Sequence, residues 1–367
     1  MRASAKVASR HAIRLQLTRC YPTVKSPWLQ SKAWHTSLDR GVIAVQGADS
    51  RKLLQGLVTI DVRTLDVGPQ YTAFLSSKGR ILCDAFLVSG SDDMVLIETD
   101  CDAVPVLSEH LRRYRLRSKA MPRDVSNEYE VVVGAGAVEA SHGAADGKPW
   151  HDPRLEGLGY RALRRRDAPK PQWLDGSAEL DAGLYHLQLG VLGIPWDSAV
   201  LSESLPLESN IELLNGISFT KGCYLGQELT ARTKFRGTVR KRLVPVVDAS
   251  KLDNAGQHED PAALAHLPDA ERAIASRLLR CEEREGADIC KMHRNTTSDL
   301  LNCVLQAPDG TKAATLKAYD ARLGVGLALC RLSAIGCGAC LLAPGSLHLK
   351  PMRPSWWPAS IGEVDTE

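Results

Sequence analysis

The chain has 367 residues, of which 44% are hydrophobic and 24% are charged, and its formal net charge is +3. This mixed composition is ordinary for a globular protein and excludes collagen-like, coiled-coil and low-complexity chains. The apolar stretch without a charge over residues 332–344 contains two glycines and is shorter than the roughly 18 residues that a membrane-spanning helix needs. The length is enough for two or three domains.

The first 38 residues contain basic side chains and no acidic one. The first four recur every four residues, so a helix would gather them along one side. A basic, acid-free segment with serines is typical of a mitochondrial transit peptide; the alternatives are a disordered basic tail or a nucleic-acid-binding arm. We predict a removable targeting segment over residues 1–38, with the processed chain beginning between residues 21 and 38. Its basic residues are Arg2, Lys6, Arg10, Arg14, Arg19, Lys25 and Lys32.

The charge of the remaining body differs in sign from that of the whole chain. Without the seven cations of the targeting segment, 39 basic residues face 43 acidic ones, a net charge of about −4. This balance gives no indication of a general nucleic-acid binder. We expect a protein of the mitochondrial matrix with no nucleic-acid partner and no membrane insertion.

The body begins with alternating short strands and helices. Apolar alternation predicts strands over residues 41–47, 71–75, 80–88, 94–99 and 130–133, with a turn over 76–79 joining the second and third. A helix capped by Asp49 or Ser50 is predicted to bury Leu53, Leu54 and Leu57, and a second helix is predicted over residues 104–116. Strands and helices mixed with hairpins indicate the α+β class rather than a doubly wound parallel sheet.

The second half of the body predicts a smaller, β-rich unit. Residues 135–149 are rich in Ala, Gly and Asp and are expected to form a surface loop, and residues 241–247 open a new set of strands that continues over 311–332. Between them, residues 248–303 read as an insertion with an amphipathic helix over 269–285. We predict domains over residues 39–240 and 241–350, followed by a Pro- and Trp-rich tail over 351–367.

The ten cysteines are scattered, which does not suggest a disulfide framework. Cys337 and Cys340 have metal-ligand spacing but lack a second matching pair, so no metal site is predicted. Cys223 has a more suggestive setting, because Lys221 precedes it and a helix is predicted from Gln227. A nearby cation and a helix N-terminus both favour a thiolate, although a purely structural turn explains the same residues.

A run of cations without an acid follows this cysteine. It would suit an anionic ligand or an acidic partner, and a solvated strand edge is the alternative. The run consists of Arg232, Lys234, Arg236, Arg240, Lys241 and Arg242.

Residues 221–228 (KGCYLGQE), continuing through Arg232, closely resemble the signature of the YgfZ-type family of iron–sulfur cluster assembly factors, which are related to the glycine-cleavage T-protein. Further similar blocks occur in the expected order at residues 53–62, 71–86, 111–119, 152–154 with 159–161, and 205–216. The chain departs from the family pattern at Ile60, Gln188 and Lys317. The resemblance implies a T-protein-like folate-binding fold with a smaller β-rich C-terminal domain.

The resemblance also implies a function: a mitochondrial role late in the maturation of [4Fe-4S] proteins of the aconitase and lipoate-synthase types, with A-type iron–sulfur carriers as partners. Cys223, with Lys221, is then the functional thiol. Since a [4Fe-4S] cluster normally takes four cysteine ligands, any cluster would be transient and shared with the carrier. Tetrahydrofolate is the implied cofactor, with Glu208 holding its pterin. The other implied binding residues are Tyr224, Gly226, Gln227, Glu228 and Arg232.

Two other functions remain open at the level of sequence. A T-protein-like chain could be a folate-dependent one-carbon transferase, for which Asp84 is the candidate carboxylate that handles the amine proton. It could also be a scaffold whose thiol is incidental.

Overall fold

A computed structural model describes residues 33–91, 93–136, 147–251, 300–321, 324–336 and 340–361. The predicted helix over 269–285, residues 1–32 of the predicted targeting segment, Cys337 and most of the predicted loop over 135–149 lie outside the described residues. Among the described residues, no helix is both long and apolar enough to span a membrane.

The first sheet has five strands in the order β3-β4-β5-β2-β6. Alternate residues of its strand β2 point to opposite faces of the sheet, and both faces are buried. Ile43 and Val45 pack against the helices α1 and α2 on one face. Val42 and Ala44 face the main core on the other. This explains the almost continuous apolar runs of its central strands. The elements are β2 (Arg40–Gln46), α1 (Ser50–Gln55), β3 (Gln70–Leu75), β4 (Ile81–Ser89), β5 (Met94–Asp100), α2 (Val104–Arg115) and β6 (Met121–Asp124).

These elements confirm the strands predicted over 41–47, 71–75, 80–88 and 94–99 and the helix predicted over 104–116. The predicted capping of α1 by a side chain is wrong in detail. Asp49 precedes the helix, but its Oδ2 accepts a hydrogen bond from the backbone N–H of Lys119 at 2.7 Å and caps no helical N–H.

The second sheet has five strands in the order β10-β1-β7-β9-β8. Its strands are β1 (Trp34–Leu38), β7 (Tyr129–Ala135), β8 (Trp150–His151), β9 (Tyr160–Arg165) and β10 (Ala178–Glu179). β1 pairs in parallel with β10 and in antiparallel fashion with β7 over its whole length. The strand predicted over 130–133 is confirmed as the core of β7.

The strand β1 overlaps the last residues of the predicted targeting segment. Trp34 and Leu38 are only 3% and 5% exposed, so removing residues 34–38 would strip a strand from the sheet and open the core. We therefore expect processing to occur before Trp34. Mass spectrometry of the N-terminal peptide of the protein isolated from mitochondria checks this, and a mature N-terminus beyond Trp34 would contradict it.

The C-terminal part of the chain forms a closed six-stranded barrel in the order β11-β14-β13-β12-β15-β16. The strands are β11 (Lys241–Asp248), β12 (Val304–Gln306), β13 (Lys312–Asp320), β14 (Val325–Arg331), β15 (Leu341–Ala343) and β16 (Leu347–Pro351). The remaining helices are α3 (Ala182–Val191), α4 (Ser198–Leu201), α5 (Gln227–Arg236) and α6 (Leu332–Gly336). An antiparallel sheet and a mixed sheet, both combined with helices, and a closed barrel confirm the predicted α+β class with a β-rich C-terminal domain.

The Trp-rich tail packs back onto the body. Trp356 and Trp357 are buried, and Trp356 Nε1 donates a hydrogen bond to the carbonyl oxygen of Leu192, just after α3, at 2.6 Å. The guanidinium of Arg353 donates hydrogen bonds to the carbonyl oxygens of Pro358 and Ile361. These bonds hold the start and the end of the described tail together. Residues 351–361 therefore fasten the barrel to α3.

Candidate functional site

The side chain of Lys221 ties the signature loop, residues 221–228, to the chain that follows α1. Its Nζ donates hydrogen bonds to the carbonyl oxygens of Gln55, Val58 and Ile60 at 2.8, 2.6 and 2.6 Å. The ammonium also lies 5.0 Å from the centre of the Tyr224 ring, and burial lowers the pKa of Lys221 to about 8. All three ammonium donors are engaged with backbone oxygens, which makes Lys221 a positioning residue for the loop rather than a free cation.

Cys223 stands at the exposed tip of this anchored loop. Gly222 and Cys223 are exposed, whereas Tyr224 is buried and the N–H of Leu225 donates to the carbonyl oxygen of Gly56 at 2.9 Å. Of the cysteines that the structure describes, Cys223 alone is exposed. The loop therefore presents one thiol to solvent from a fixed backbone.

Gly226 and Gln227 shape the loop from its other side. Gly226 has φ +79°, and a Cβ on it would lie 2.4 Å from the carbonyl oxygen of Ser76, so only glycine lets the loop sit against the predicted 76–79 turn. Gln227 Oε1 accepts a hydrogen bond from the backbone N–H of Tyr224 at 3.2 Å. Both residues were predicted to bind the cofactor; their observed contacts are within the protein.

The remaining predicted loop residues divide between core and surface. Burial raises the pKa of Tyr224 to about 12, and its ring packs beneath the loop. Glu228 and Arg232 are exposed on α5, with Glu228 in its first turn.

Replacing Lys221 with methionine is expected to lower the free energy of unfolding by about 1–3 kcal/mol, because three carbonyl oxygens lose their donor. Urea unfolding followed by circular dichroism measures the change. The matched control is Lys52→Met on the exposed side of α1, which is expected to change the free energy by less than about 0.5 kcal/mol. Equal losses in the two variants would show that Lys221 does not anchor the loop.

A groove of about 240 Å³ lies beside α5, between residues 205–208 and the chain that enters the barrel. Half-buried Glu208 contributes the acidic group, and burial raises the pKa of its carboxyl, while the charges of Lys241, Arg80 and Lys317 oppose the rise. The hydroxyl of Thr230, on the α5 wall, is buried without a hydrogen-bond partner. The groove thus combines one carboxylate with a basic rim formed by Arg240 and Lys241.

The cationic run after the signature loop divides into two kinds of residue. Arg240 and Lys241 line the groove. Arg242 is buried instead: its guanidinium pairs with Glu212 at 2.7 Å and donates to the carbonyl oxygen of Leu207 at 2.8 Å. For Arg242, the predicted anionic ligand or acidic partner and the alternative of a solvated strand edge are therefore both wrong, because its partners are internal. The exposed members of the run are Arg232, Lys234, Arg236 and Arg240.

A buried ionic network occupies the space between the two sheets. Glu98 is 0% exposed and accepts hydrogen bonds from Arg161 at 2.7 and 2.8 Å and from Arg40 at 3.0 Å. Burial opposes the charge of Glu98, but the charges of Arg161 and Arg40 outweigh it and hold the pKa of its carboxyl below the usual range.

The network continues through a second pair, Asp152 and Arg154. Arg154 donates to both carboxylate oxygens of Asp152 at 2.8 and 3.0 Å, and Arg154 and Arg161 both donate to the hydroxyl of Tyr185. The sequence places Asp152, Arg154 and Arg161 only in family-like blocks, and it does not predict the pairing of Arg161 with Glu98, 63 residues earlier in the chain. No local pattern links residues so far apart in the chain.

Asp84 is also buried, at the edge of this network. Its Oδ2 accepts a hydrogen bond from the hydroxyl of Tyr71 at 3.0 Å, and burial raises the pKa of its carboxyl against the opposing charges of Arg40 and Arg154. Asp84 does not line the groove that contains Glu208. The departure from the family pattern at Gln188 lies buried on α3.

Among the described residues, no group of three or more His, Cys, Asp or Glu side chains is placed to hold a metal ion.

The fold matches that of a glycine cleavage aminomethyltransferase. The chain superposes on the T protein from Bartonella henselae with a TM-score of 0.62, covering 90% of this chain and 88% of that structure at 9% sequence identity. The fold and the cysteine loop thus define a protein of T-protein-like architecture with an exposed signature thiol, which confirms the predicted fold.

Curated relatives give the family. The chain is 32% identical over 351 residues to the mitochondrial iron–sulfur cluster assembly factor IBA57 homolog of Neurospora crassa, covering 87% of this chain and 74% of the relative. It is also 32% identical over 367 residues to the homolog of Mycosarcoma maydis, covering 91% and 86%. No family model matches the sequence. The chain belongs to the IBA57 family of mitochondrial iron–sulfur cluster assembly factors, in agreement with the predicted location and with the YgfZ-type resemblance.

Proposed function

We propose that this protein acts late in the maturation of mitochondrial [4Fe-4S] proteins and that Cys223 is the thiol through which it contacts a cluster. The observation that carries the proposal is the exposure of Cys223 at the tip of a loop held on both sides by internal contacts. Membership of the IBA57 family supplies the class of function.

The cluster is cargo in this proposal, and the partner supplies most of its ligands. A [4Fe-4S] cluster normally takes four cysteine thiolates, and Cys223 offers one. The thiol of Cys223 releases its proton to solvent, and its sulfur then binds an iron of a cluster that an A-type carrier holds through its own cysteines. The cluster passes from that shared state to client enzymes of the aconitase and lipoate-synthase types.

The protein's own residues fix the geometry of this contact. Lys221 holds the start of the loop, and Gly226 and Gln227 hold its end. Because the loop is already ordered, little backbone conformational entropy is lost when the partner binds, and this favours binding.

The groove beside α5 is the proposed site for the pterin end of tetrahydrofolate. Glu208 can accept hydrogen bonds from the amino-pyrimidine edge, and Arg240 and Lys241 suit the carboxylates of the tail. A volume of about 240 Å³ lies below the roughly 300–1,000 Å³ of pockets for whole drug-sized ligands, so the tail would lie outside the groove. Tetrahydrofolate carries one-carbon units, a chemistry that the cluster step does not use.

Replacing Glu208 with glutamine is expected to weaken tetrahydrofolate binding about tenfold or more, because one charged hydrogen-bond acceptor is lost. Anaerobic isothermal titration calorimetry of the purified chain measures the affinity. Glu109→Gln, an exposed change on α2, is the matched control and is expected to bind as the parent does. Equal affinity in the Glu208 variant would remove this residue from the folate site.

Loss of the chain tests the function itself. Cells without it are expected to lose aconitase activity and protein lipoylation while their [2Fe-2S] enzymes stay active. An equal fall in [2Fe-2S] enzymes would contradict a late role.

The structure offers less support for a one-carbon transferase. Such an enzyme needs a carboxylate beside the reacting amine, and Asp84 is instead buried against Tyr71 and outside the groove. Turnover of methylene-tetrahydrofolate by the purified chain would favour the transferase, and bound folate without turnover would count against it.

A further inference from the structure

A strongly basic corner lies on the side of the first sheet where α2 leads into β6. Residues 110–123 contain no acidic residue, although the body as a whole is acidic. We define the basic corner as residues 112–123. Its cations are Arg112, Arg113, Arg115, Arg117, Lys119 and Arg123, and all but the half-buried Arg115 are exposed.

Ordinary structural roles explain part of this charge. Arg112, Arg113 and Arg115 lie in the last turn of α2, where cations interact favourably with the helix dipole. Arg123 lies on the edge strand β6, where a charge discourages pairing with another chain, and it is ion-paired with Glu128. Neither role accounts for Arg117 or Lys119.

The corner also exposes two large apolar side chains. Leu116 is 83% exposed and Met121 is 60% exposed. Leu116 has φ +47° and ψ −115°, a conformation that is strained for a residue with a Cβ. The guanidinium of Arg115 donates to the sulfur of Met121, which joins the end of α2 to the start of β6. An exposed leucine in a strained conformation between two arginines has no stabilising role within the fold.

The backbone of the corner is fixed rather than loose. The N–H of Lys119 donates to Asp49 Oδ2 at 2.7 Å. A Cβ at Gly47 would lie 2.1 Å from the carbonyl oxygen of Lys119, so the glycine permits a close backbone contact there. Leu116 is therefore held outward by a turn that is anchored on the body.

Cations around an exposed apolar tip match the surface of an anionic membrane. The arginines and lysine can pair with lipid phosphates, and the leucine and methionine can enter the boundary between headgroups and acyl chains. A nucleic acid would pair with the cations but would gain nothing from the aliphatic side chains. Its bases would stack on an exposed aromatic ring, and Tyr114, the aromatic residue within residues 112–123, is half-buried against His110. We propose that the basic corner docks this protein peripherally on an anionic phospholipid surface, with Leu116 and Met121 as the inserted residues. The proposal is independent of Cys223.

Sedimentation of the full chain with phosphatidylcholine vesicles, with and without phosphatidylglycerol, tests the proposal. Binding is expected only to the vesicles that contain phosphatidylglycerol. The double variant Arg117→Glu/Lys119→Glu is expected to bind about tenfold more weakly or worse. The control Lys234→Glu/Arg236→Glu makes the same charge change on exposed positions of α5 and is expected to bind within about twofold of the parent. The basic N-terminal segment is common to all variants.

The apolar part of the proposal has its own test. Leu116→Gly removes the inserted side chain and relieves the strained backbone, so its melting temperature is expected to equal or exceed that of the parent. Its vesicle binding is nevertheless expected to fall about fivefold or more.

Three results would overturn the proposal. The first is equal loss of binding in the two double charge variants, which would indicate general charge attraction. The second is parental vesicle binding by Leu116→Gly. The third is displacement from vesicles by a single-stranded RNA oligonucleotide whose own binding is lost in Arg117→Glu/Lys119→Glu, which would make the corner a nucleic-acid site.

Discussion

Replacing Arg161 with leucine is expected to lower the free energy of unfolding by about 3–5 kcal/mol. Arg161 is the main partner of Glu98, and the substitution leaves a fully buried carboxylate with Arg40 alone. Removing one member of a buried ion pair typically costs this much, because the remaining charge is desolvated without compensation. The loss is a large share of the roughly 5–15 kcal/mol that stabilises a typical domain.

A second arginine on the same strand is a matched control, because its substitution removes the same charge from a less buried ion pair. Arg164 on β9 pairs with Glu130 at 2.9 Å, but both side chains are about one-fifth exposed. Arg164→Leu is expected to cost about 1 kcal/mol or less, measured by urea unfolding of the full chain. Adding Glu98→Gln to Arg161→Leu is expected to restore part of the stability, since it removes the orphaned charge. Equal losses at Arg161 and Arg164 would show that the buried network contributes no more than a surface pair.

Cys223→Ser is expected to abolish a cluster-bridged complex with an A-type carrier. Serine keeps its proton at neutral pH and does not replace a thiolate as an iron ligand. The residue is exposed, so the free energy of unfolding is expected to change by less than about 0.5 kcal/mol. The complex is followed anaerobically by native mass spectrometry and by the visible circular dichroism of the cluster after mixing with the loaded carrier.

Cys303→Ser is the control for this experiment, because Cys303 is partly buried in the barrel region. This variant is expected to form the complex as the parent does. A bridged complex of normal yield with Cys223→Ser would place the cluster contact elsewhere on the protein.

The elements predicted best are those that follow from a local sequence pattern. The strands β2 to β5 and the helix α2 follow from apolar spacing, and the signature loop follows from its motif. β1 escaped prediction because its five residues carry the same acid-free composition as the targeting segment before them, and only the pairing with β7 shows that they belong to the fold.

Contacts between residues far apart in the chain could not be predicted from the sequence, for a physical reason. Glu98 and Arg161 are 63 residues apart and meet only because the two sheets pack face to face. Arg242 was grouped with exposed cations because a run of like charges does not show which member turns inward to Glu212. Lys221 was predicted as a cation beside the thiol, whereas the carbonyl oxygens that it binds belong to a segment about 160 residues earlier in the chain.

Complementation of cells that lack the chain tests the central proposal most directly. Cys223→Ser and Cys303→Ser are expressed at equal levels, and aconitase activity, protein lipoylation and a [2Fe-2S] enzyme are assayed side by side. The proposal predicts that Cys303→Ser restores all three, while Cys223→Ser leaves aconitase activity and lipoylation low and the [2Fe-2S] enzyme normal. Full restoration by Cys223→Ser would contradict a role for this thiol in cluster handling.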